Sequence, residues 1–348
     1  MLNTTRTAEL SFHINQEIGQ EGKNSTVFTA RDLQLNADIV VKKMIKANFS
    51  DINEYFKESS LLHLSSHPNV VPIYYACQDD KHVFLAMPYF RRGSLKKRMA
   101  DSSVSVREII VWSTQVLSGL HNIHSKGLIH FDIKPDNILF SDRGEALLSD
   151  FGLTKQTTFS GLAGQDRIYG NMVPPEAFRT SDFNNQFDIY QFGLTLHRMC
   201  VGDHSFYSEY ATFIENGNLN RTKFRHAVVN GQFPNKDSYP EHIPQALINT
   251  VKKCLATELA HRYASAIDIV NDLSDIDGEL LDWTLSYDGL RRTWFKTHGD
   301  GRIFELTVDE NGASLAKKTS AAGNVQRVTD YCKPQLSRAE IKRFLRKY

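Results

Sequence analysis

The sequence has no apolar stretch approaching the ~18–20 residues that a membrane-crossing helix needs. Its first residues, Met1-Leu2-Asn3-Thr4-Thr5-Arg6, also lack the apolar core of a signal peptide. A cytoplasmic location is therefore the default expectation, and no membrane contact is expected. Cysteine is scarce. Cys77, Cys200, Cys254 and Cys332 lie far apart, form no CxxC pair and match no zinc spacing, so reduced thiols are expected rather than a disulfide framework. An excess of one charge sign is missing as well: a formal net charge of +1 argues against a chain-wide footprint for nucleic acid or lipid. There is no internal repeat and no low-complexity tract. What remains is an ordinary globular composition, 41% hydrophobic and 23% charged over 348 residues, enough for a sizeable core and, at about 150 residues per domain, about two domains.

Most of the chemistry lies in His130-Phe131-Asp132-Ile133-Lys134-Pro135-Asp136-Asn137, a short polar loop between the apolar runs Gly127-Leu128-Ile129 and Ile138-Leu139-Phe140. Thirteen residues beyond Asn137 stands Asp150-Phe151-Gly152. Phosphoryl transfer from a nucleotide needs a carboxylate to orient the attacking hydroxyl and a lysine near the moving group. It also needs hard oxygen ligands for Mg²⁺, such as an asparagine and a second carboxylate. Several residue types are fixed at once here, and the stretch resembles the catalytic loop and DFG motif of eukaryotic-type (Hanks-type) serine/threonine protein kinases. The resemblance implies that Asp132 accepts or orients the substrate proton, that Lys134 steadies the transferred phosphoryl, and that Asn137 and Asp150 hold Mg²⁺. It also implies that His130 and Phe151 join Leu62 and Ile73 in an apolar column between two lobes. Phe131 replaces the arginine that commonly receives an activation-loop phosphate, so loop phosphorylation should not be needed to order the site.

Upstream, residues 11–90 read as strands with one helix. Ile18-Gly19-Gln20-Glu21-Gly22-Lys23-Asn24-Ser25-Thr26-Val27-Phe28 is a small-residue turn between strand-like runs, and Ile39-Val40-Val41-Lys42 is a β-branched strand ending in lysine. Two glycines in a hairpin are by themselves only a hairpin. Val27, however, precedes Lys42 by fifteen residues, the spacing between glycine-loop valine and strand lysine in the kinases it resembles. That register puts Gly22 at the central glycine, with Gln20 and Ser25 in the outer places; Gly19 would serve as the first only with a one-residue insertion. Val40, where the family carries a small residue, would crowd the adenine roof. A helix is expected from Asp51 to Leu64, with Glu58 as the carboxylate that clamps Lys42. His82-Val83-Phe84-Leu85-Ala86-Met87-Pro88 resembles the strand entering the interlobe hinge. Met87 would be the gatekeeper, the Pro88 carbonyl and Phe90 amide would meet adenine, and Leu139 would complete the nucleotide contacts.

Helices are expected over Ser94 to Met99 and Ser105 to Ser125, the second with Ile109, Trp112, Val116 and Leu120 on one face. His121 and His124 read as core or surface histidines, since no further ligand follows at metal spacing. Thr157, Thr158, Ser160 and Tyr169 lie in an activation-loop-like segment, residues 153–173, that ends at Pro174-Pro175-Glu176. The resemblance pairs Glu176 with Arg262, gives Asp188 the task of bracing the catalytic loop, and puts Tyr169 where these kinases carry a threonine contacting Lys134.

The resemblance covers about residues 11–280, with an upper lobe to about 88 and a lower lobe from 91. Residues 281–348 carry 13 Lys/Arg against 8 Asp/Glu, leaving 28 against 32 before them. Runs at Arg292 to Thr297, Ile303 to Val308 and Val325 to Val328 are strand-like, separated by the hairpin signals Gly299-Asp300-Gly301 and Asn311-Gly312. Ser337-Arg338-Ala339-Glu340 is a capping box that opens a helix with Ile341, Phe344, Leu345 and Tyr348 on one face. Its basic face is either solvated surface or a site for an acidic partner or nucleic acid. The expected architecture is α+β, a two-lobed protein-kinase-like fold with a small C-terminal β-rich appendage. The expected function is ATP- and Mg-dependent phosphorylation of serine or threonine in a protein substrate. A small-molecule phosphotransferase and a catalytically silent binding module remain as alternatives.

Overall fold

The chain is described by a computed structural model over residues 10–19, 25–48, 56–165 and 170–348. Strands β1 (Phe12–Gly19), β2 (Ser25–Asp32), β3 (Ala37–Ile45), β4 (Tyr75–Gln78) and β5 (His82–Pro88) form an antiparallel sheet in the order β1-β2-β3-β5-β4. The run Ile39-Val40-Val41 takes the central strand, where all three side chains are buried, as suits β-branched residues covered on both faces. In β1 the two steps from Glu17 to Gly19 face one step of β2, from Phe28 to Val27. This bulge at Ile18 supplies the extra residue that Gly19 requires to stand opposite Val27. Helix α1 is described as Lys57–Leu64, with Leu61 and Leu62 buried; the expected start at Asp51 lies outside the described residues.

Below the sheet, α2 (Leu95–Asp101) is capped by Ser94, and α3 (Val106–Ser125) by a Ser105/Glu108 capping box. The predicted face of α3, Ile109, Trp112, Val116 and Leu120, is buried. Short strand pairs follow: β6 (Leu128–Ile129) with β9 (Lys155–Gln156), β7 (Ile138–Phe140) with β8 (Ala146–Leu148), β10 (Ala163–Gly164) with β11 (Asp182–Phe183), and β12 (Ile214–Glu215) with β13 (Asn218–Leu219). Helix α4 (Gln186–Val201) is buried on almost every side, as a helix at the centre of a lobe must be. Helices α5 (Asp203–Ala211), α6 (Arg221–Val229), α7 (Gln245–Cys254) and α8 (Ala266–Ser274) complete the lobe. One apolar cluster runs from Leu62 and Leu85 of the upper lobe to Leu273 of α8, so the lobes share a core.

At the C-terminus β14 (Thr284–Asp288), β15 (Arg291–Thr297), β16 (Ile303–Val308), β17 (Ser314–Thr319) and β18 (Val325–Arg327) form an antiparallel meander, covered by α9 (Arg338–Lys347). Phe304, Leu306 and Val308 alternate inward and meet Trp283, Trp294, Ile341, Phe344 and Leu345 in a second core. The two bodies interlock. Leu281 belongs to the lobe's core while Leu280 packs on the second one. Arg107 of α3 pairs with Asp282 at 2.6 Å, and Arg292 meets Glu241 at 3.2 Å. Arg338, expected on a solvated basic face, instead donates to the Tyr239 carbonyl at 2.6 Å and lies 3.4 Å from Glu241. The lobe offers it a carboxylate and a main-chain carbonyl, which helix periodicity alone does not reveal. Arg343, Arg346 and Lys347 remain exposed.

Beside this junction, burial pushes His242 down to about 4. Burial, helped by the Lys236 charge, pushes His197 down to about 3. Both rings are neutral when folded and take up a proton on unfolding in acid. Their stabilisation is therefore complete above pH ~6.5 and declines below it, by about 1.4 kcal/mol per pH unit per histidine. His242→Leu should remove one proton from the slope of unfolding free energy against pH between about 6.5 and about 4. Denaturant titrations across that range read the slope directly.

Candidate active site

Two side chains of α4 shape the loop that carries Asp132. Asp188, fully buried, accepts the His130 amide on Oδ2 and the Phe131 amide on Oδ1, both at 2.8 Å. His124 also donates to Oδ2 from Nε2 at 2.8 Å, which gives that histidine a structural task. One turn later Gln191 accepts the Ile133 amide at 2.9 Å and donates to the Phe131 carbonyl at 3.1 Å and the Met172 carbonyl at 3.2 Å. The fixed loop puts Phe131 at φ 67°, and Asp150, in the separate loop after β8, stands at φ 60°, both in the left-handed region that side chains other than glycine avoid. Asp188 is expected from the sequence; Gln191 is not, because a lone glutamine on an apolar helix carries no signal of its partners.

Within the loop, Asp132 Oδ2 accepts from Lys134 Nζ at 2.9 Å and from Asn137 Nδ2 at 2.7 Å. His130 locks the other end: its Nδ1 accepts the Asp132 amide at 3.3 Å and its Nε2 donates to the Ser149 carbonyl at 3.1 Å. Its ring meets Phe151 edge-on at 5.0 Å. Leu62 and Phe151 share the main core, with Ile73 packed against it.

The second cluster joins the upper sheet to the Asp150 loop. The β2–β3 ladder sets Val27 directly opposite Lys42, which explains their fifteen-residue spacing as a hairpin. Lys42 Nζ reaches Glu58 at 2.8 Å and Asp150 at 2.9 Å. Burial alone would lower the Lys42 pKa, but the Asp150 and Glu58 carboxylates outweigh it and hold the ammonium charged, above its ordinary range. Burial works to lift Asp150 too, yet the Lys42 charge and hydrogen bond bring it down to about 2. Glu58 is raised, chiefly by burial, with Lys42 opposing. A Cβ at Gly152 would stand 3.2 Å from Asp150 Oδ1 and 3.4 Å from Lys42 Nζ, so a side chain there would crowd the pair.

These groups open onto a cleft of about 420 Å³ between the lobes. Val27, Val40, Met87, Pro88, Phe90 and Leu139 line it with Lys42, Glu58, Asn137 and Asp150. Asp132 and Lys134 lie beyond its lining. Ile18, Val71 and Ser149 also line the cleft without having been expected there, since single apolar or small residues announce no role in sequence. Gly22 lies outside the described residues, as does Tyr169. Among the described residues no three His, Cys, Asp or Glu gather into a cage for a metal. The donor set is instead the Asp150 carboxylate and the Asn137 amide oxygen, beside two lysines (Lys42 and Lys134) and two further carboxylates (Glu58 and Asp132), so that carboxylates outnumber lysines three to two. That set fits a hard divalent cation taking its other ligands from phosphate and water.

The family model for the protein kinase domain matches residues 12–272. The chain belongs to the protein kinase family. It is 28% identical over 272 residues, 76% of its length, to a probable serine/threonine-protein kinase of Clostridium acetobutylicum. To the serine/threonine-protein kinase PrkC of Bacillus subtilis it is 25% identical over 269 residues, 75% of its length. It spans 40% of the length of each of these relatives. A shorter match, 31% over 173 residues and 48% of the chain, is to human Rho-associated protein kinase 1, of which it covers 13%. Kinases of this family use ATP with a divalent metal, and the family implies protein substrates. Among the described residues no helix is long and apolar enough to cross a membrane.

In this kinase fold the activation segment is anchored by apolar and backbone contacts. Phe131 is buried against Phe187 at 5.0 Å and Phe183 at 6.0 Å, in a cluster with Ile129 and Ala163. An aromatic core thus occupies the place in which an arginine would grip a loop phosphate. Thr157 donates to the Gly127 carbonyl from its amide at 2.8 Å and from Oγ1 at 3.1 Å. Glu176 takes a two-pronged bond from the buried Arg262, at 2.7 and 3.0 Å, and the guanidinium lies 4.9 Å from the Tyr190 ring centroid.

Replacing Asp188 by Asn would turn one acceptor oxygen into a donor facing a main-chain N–H. Such a buried mismatch costs about 1–3 kcal/mol. Asp188→Asn should lower the unfolding free energy by that amount, read from denaturant titration. Hydrogen exchange should also show faster exchange of the His130 and Phe131 amides, and unchanged exchange there would remove the bracing role.

Proposed function

We propose that this chain transfers the γ-phosphoryl group of ATP to serine or threonine hydroxyls of a protein substrate, with Mg²⁺ bound at Asn137 and Asp150. The observation that carries the proposal is the pair of linked clusters, Asp132 with Lys134 and Asn137, and Lys42 with Glu58 and Asp150, on the inner end and edge of one cleft. In this scheme Val27, Val40 and Leu139 sandwich the adenine, the Phe90 amide and Pro88 carbonyl meet its edge, and Met87 bounds the inner wall. Lys42, kept charged by its two carboxylates, pairs with the non-transferred phosphates. When bound, the metal would neutralise charge on the phosphate oxygens.

The chain's own residues do the positioning. Asp132 Oδ2 is committed to Lys134 and Asn137, and Oδ1 has no protein partner among the described residues, so it is available to the attacking hydroxyl. Lys134 then faces both the carboxylate and the incoming phosphoryl, and lowers the cost of bringing the two together. Nothing in the site favours a small-molecule acceptor. A catalytically silent module would not be expected to keep every one of these polar groups in contact.

Asp132→Asn should leave nucleotide binding intact and lower turnover by ~10²–10⁴-fold, the usual contribution of a positioned general base. Labelled ATP with a protein mixture tests this, and parent-like incorporation by the variant would end the assignment. Asp150→Ala should abolish the Mg²⁺-dependent part of ATP affinity in calorimetry. If Mg-ATP binds the variant as tightly as the parent, Asp150 is not the metal ligand.

A further inference from the structure

Helix α6 and the turn that follows Pro174-Pro175-Glu176 enclose a second cavity of about 490 Å³, separate from the nucleotide cleft. Arg179, Arg221, Arg225 and His226 line it with Thr222 and Val229, and no carboxylate does. The three arginines are exposed, and their side chains have no ion pair or hydrogen bond among the described residues. Arg31, Arg98, Arg107 and Arg302 each hold a carboxylate at the surface, whereas these three, like Arg343 and Arg346 of α9, hold none and differ from that pair in lining one cavity together. Even Lys223, on the same helix, has Glu215 at 3.7 Å.

Arg221 and Arg225 stand one helical turn apart, where like charges repel and disfavour the helix. Only the Asn220 side chain, accepting the Lys223 amide at 3.0 Å, caps this helix end. Arg225 is held over the Phe178 ring at 5.9 Å, a contact that orients the guanidinium without neutralising it. Phe178 ends the short helical turn Pro175–Phe178 whose Glu176 is clamped by Arg262. That segment follows Met172, whose carbonyl shares the Gln191 amide with the Phe131 carbonyl. These contacts connect the basic cavity to the loop that bears Asp132.

We propose that this cavity docks an Asp/Glu-rich segment of the protein substrate, outside the residues next to the phosphorylated hydroxyl. The proposal rests on the protein-kinase function above and names the class of substrate. Guanidinium groups one helical turn apart, ~5–6 Å between Cβ atoms, match carboxylates at alternate positions of an extended peptide, ~6.6 Å apart on one face. Nucleic acid is disfavoured, because it needs a long basic track rather than one cavity on a chain of net charge +1.

The test uses the full chain and two peptides with the same acceptor serine, one with a Glu-x-Glu-x-Glu tail and one with glutamines in those places. For the parent, KM should be about ten-fold lower for the glutamate peptide at equal kcat, and the difference should shrink as NaCl is raised. Arg221→Glu/Arg225→Glu should erase the difference and leave the glutamine peptide and the KM for ATP unchanged. Arg221→Glu alone keeps the fold secure, since an acidic first turn suits the helix dipole, and should lose part of the preference. Fluorescence anisotropy of both peptides on the Asp132→Asn chain reads docking without turnover. If neither peptide is phosphorylated, the catalytic function fails while anisotropy still decides the docking. Equal binding of the two peptides, a preference that survives the double reversal, or tighter binding of a phosphoserine peptide or an oligonucleotide would overturn the proposal.

Discussion

A single buried carboxylate sets the geometry of everything around Asp132. Asp188 accepts two successive main-chain amides, and in doing so holds Phe131 in a left-handed conformation that costs an ordinary side chain ~1–2 kcal/mol. The strain persists because the support is rigid: α4 is buried nearly all round, and Gln191 secures the next stretch of the loop from the same helix. Asp132 is thus oriented by main-chain hydrogen bonds to a central helix. Its own side chain is left to bond Lys134 and Asn137.

The nucleotide site is assembled on a different logic. Lys42 comes from the sheet, Glu58 from α1 and Asp150 from the loop beyond β8, and the lysine is shared between the two carboxylates. Sharing makes the positions of the helix and of the Asp150 carboxylate mutually dependent. The pKa shifts follow the same coupling, with Asp150 held ionised by the lysine while Glu58 bears most of the burden of burial.

Much of this is legible in the sequence where chemistry and spacing coincide. Asp132, Lys134, Asn137 and Asp150 are recognisable because several polar types recur at fixed offsets between apolar runs. The Val27–Lys42 spacing is recognisable because a hairpin converts it into a cross-strand pair. The same holds for Ser337/Glu340, whose capping box marks a helix start to the residue. Strands β14 and β17 escape notice, since β17 buries only Ala316 and β14 buries nothing fully, so neither shows apolar alternation. Arg338 is misplaced for a related reason: helix periodicity assigns it a face but cannot know that Glu241 and Tyr239 of another body approach that face. Gln191 and the cleft residues Ile18 and Val71 are visible only once distant segments meet.

The cluster of Phe131, Phe183 and Phe187 has a consequence for how the segment after Asp150 responds to its surroundings. A phosphate gripped by arginine is a contact that salt screens and that an enzyme can add or remove. Phenyl rings packed edge to face have no charge to screen and no group to modify, and their cohesion is a hydrophobic one, which weakens on cooling rather than with ionic strength. The packing of Phe131 against Phe183 and Phe187 is therefore tied to temperature and insulated from salt, so cold, not brine, is the condition that loosens it.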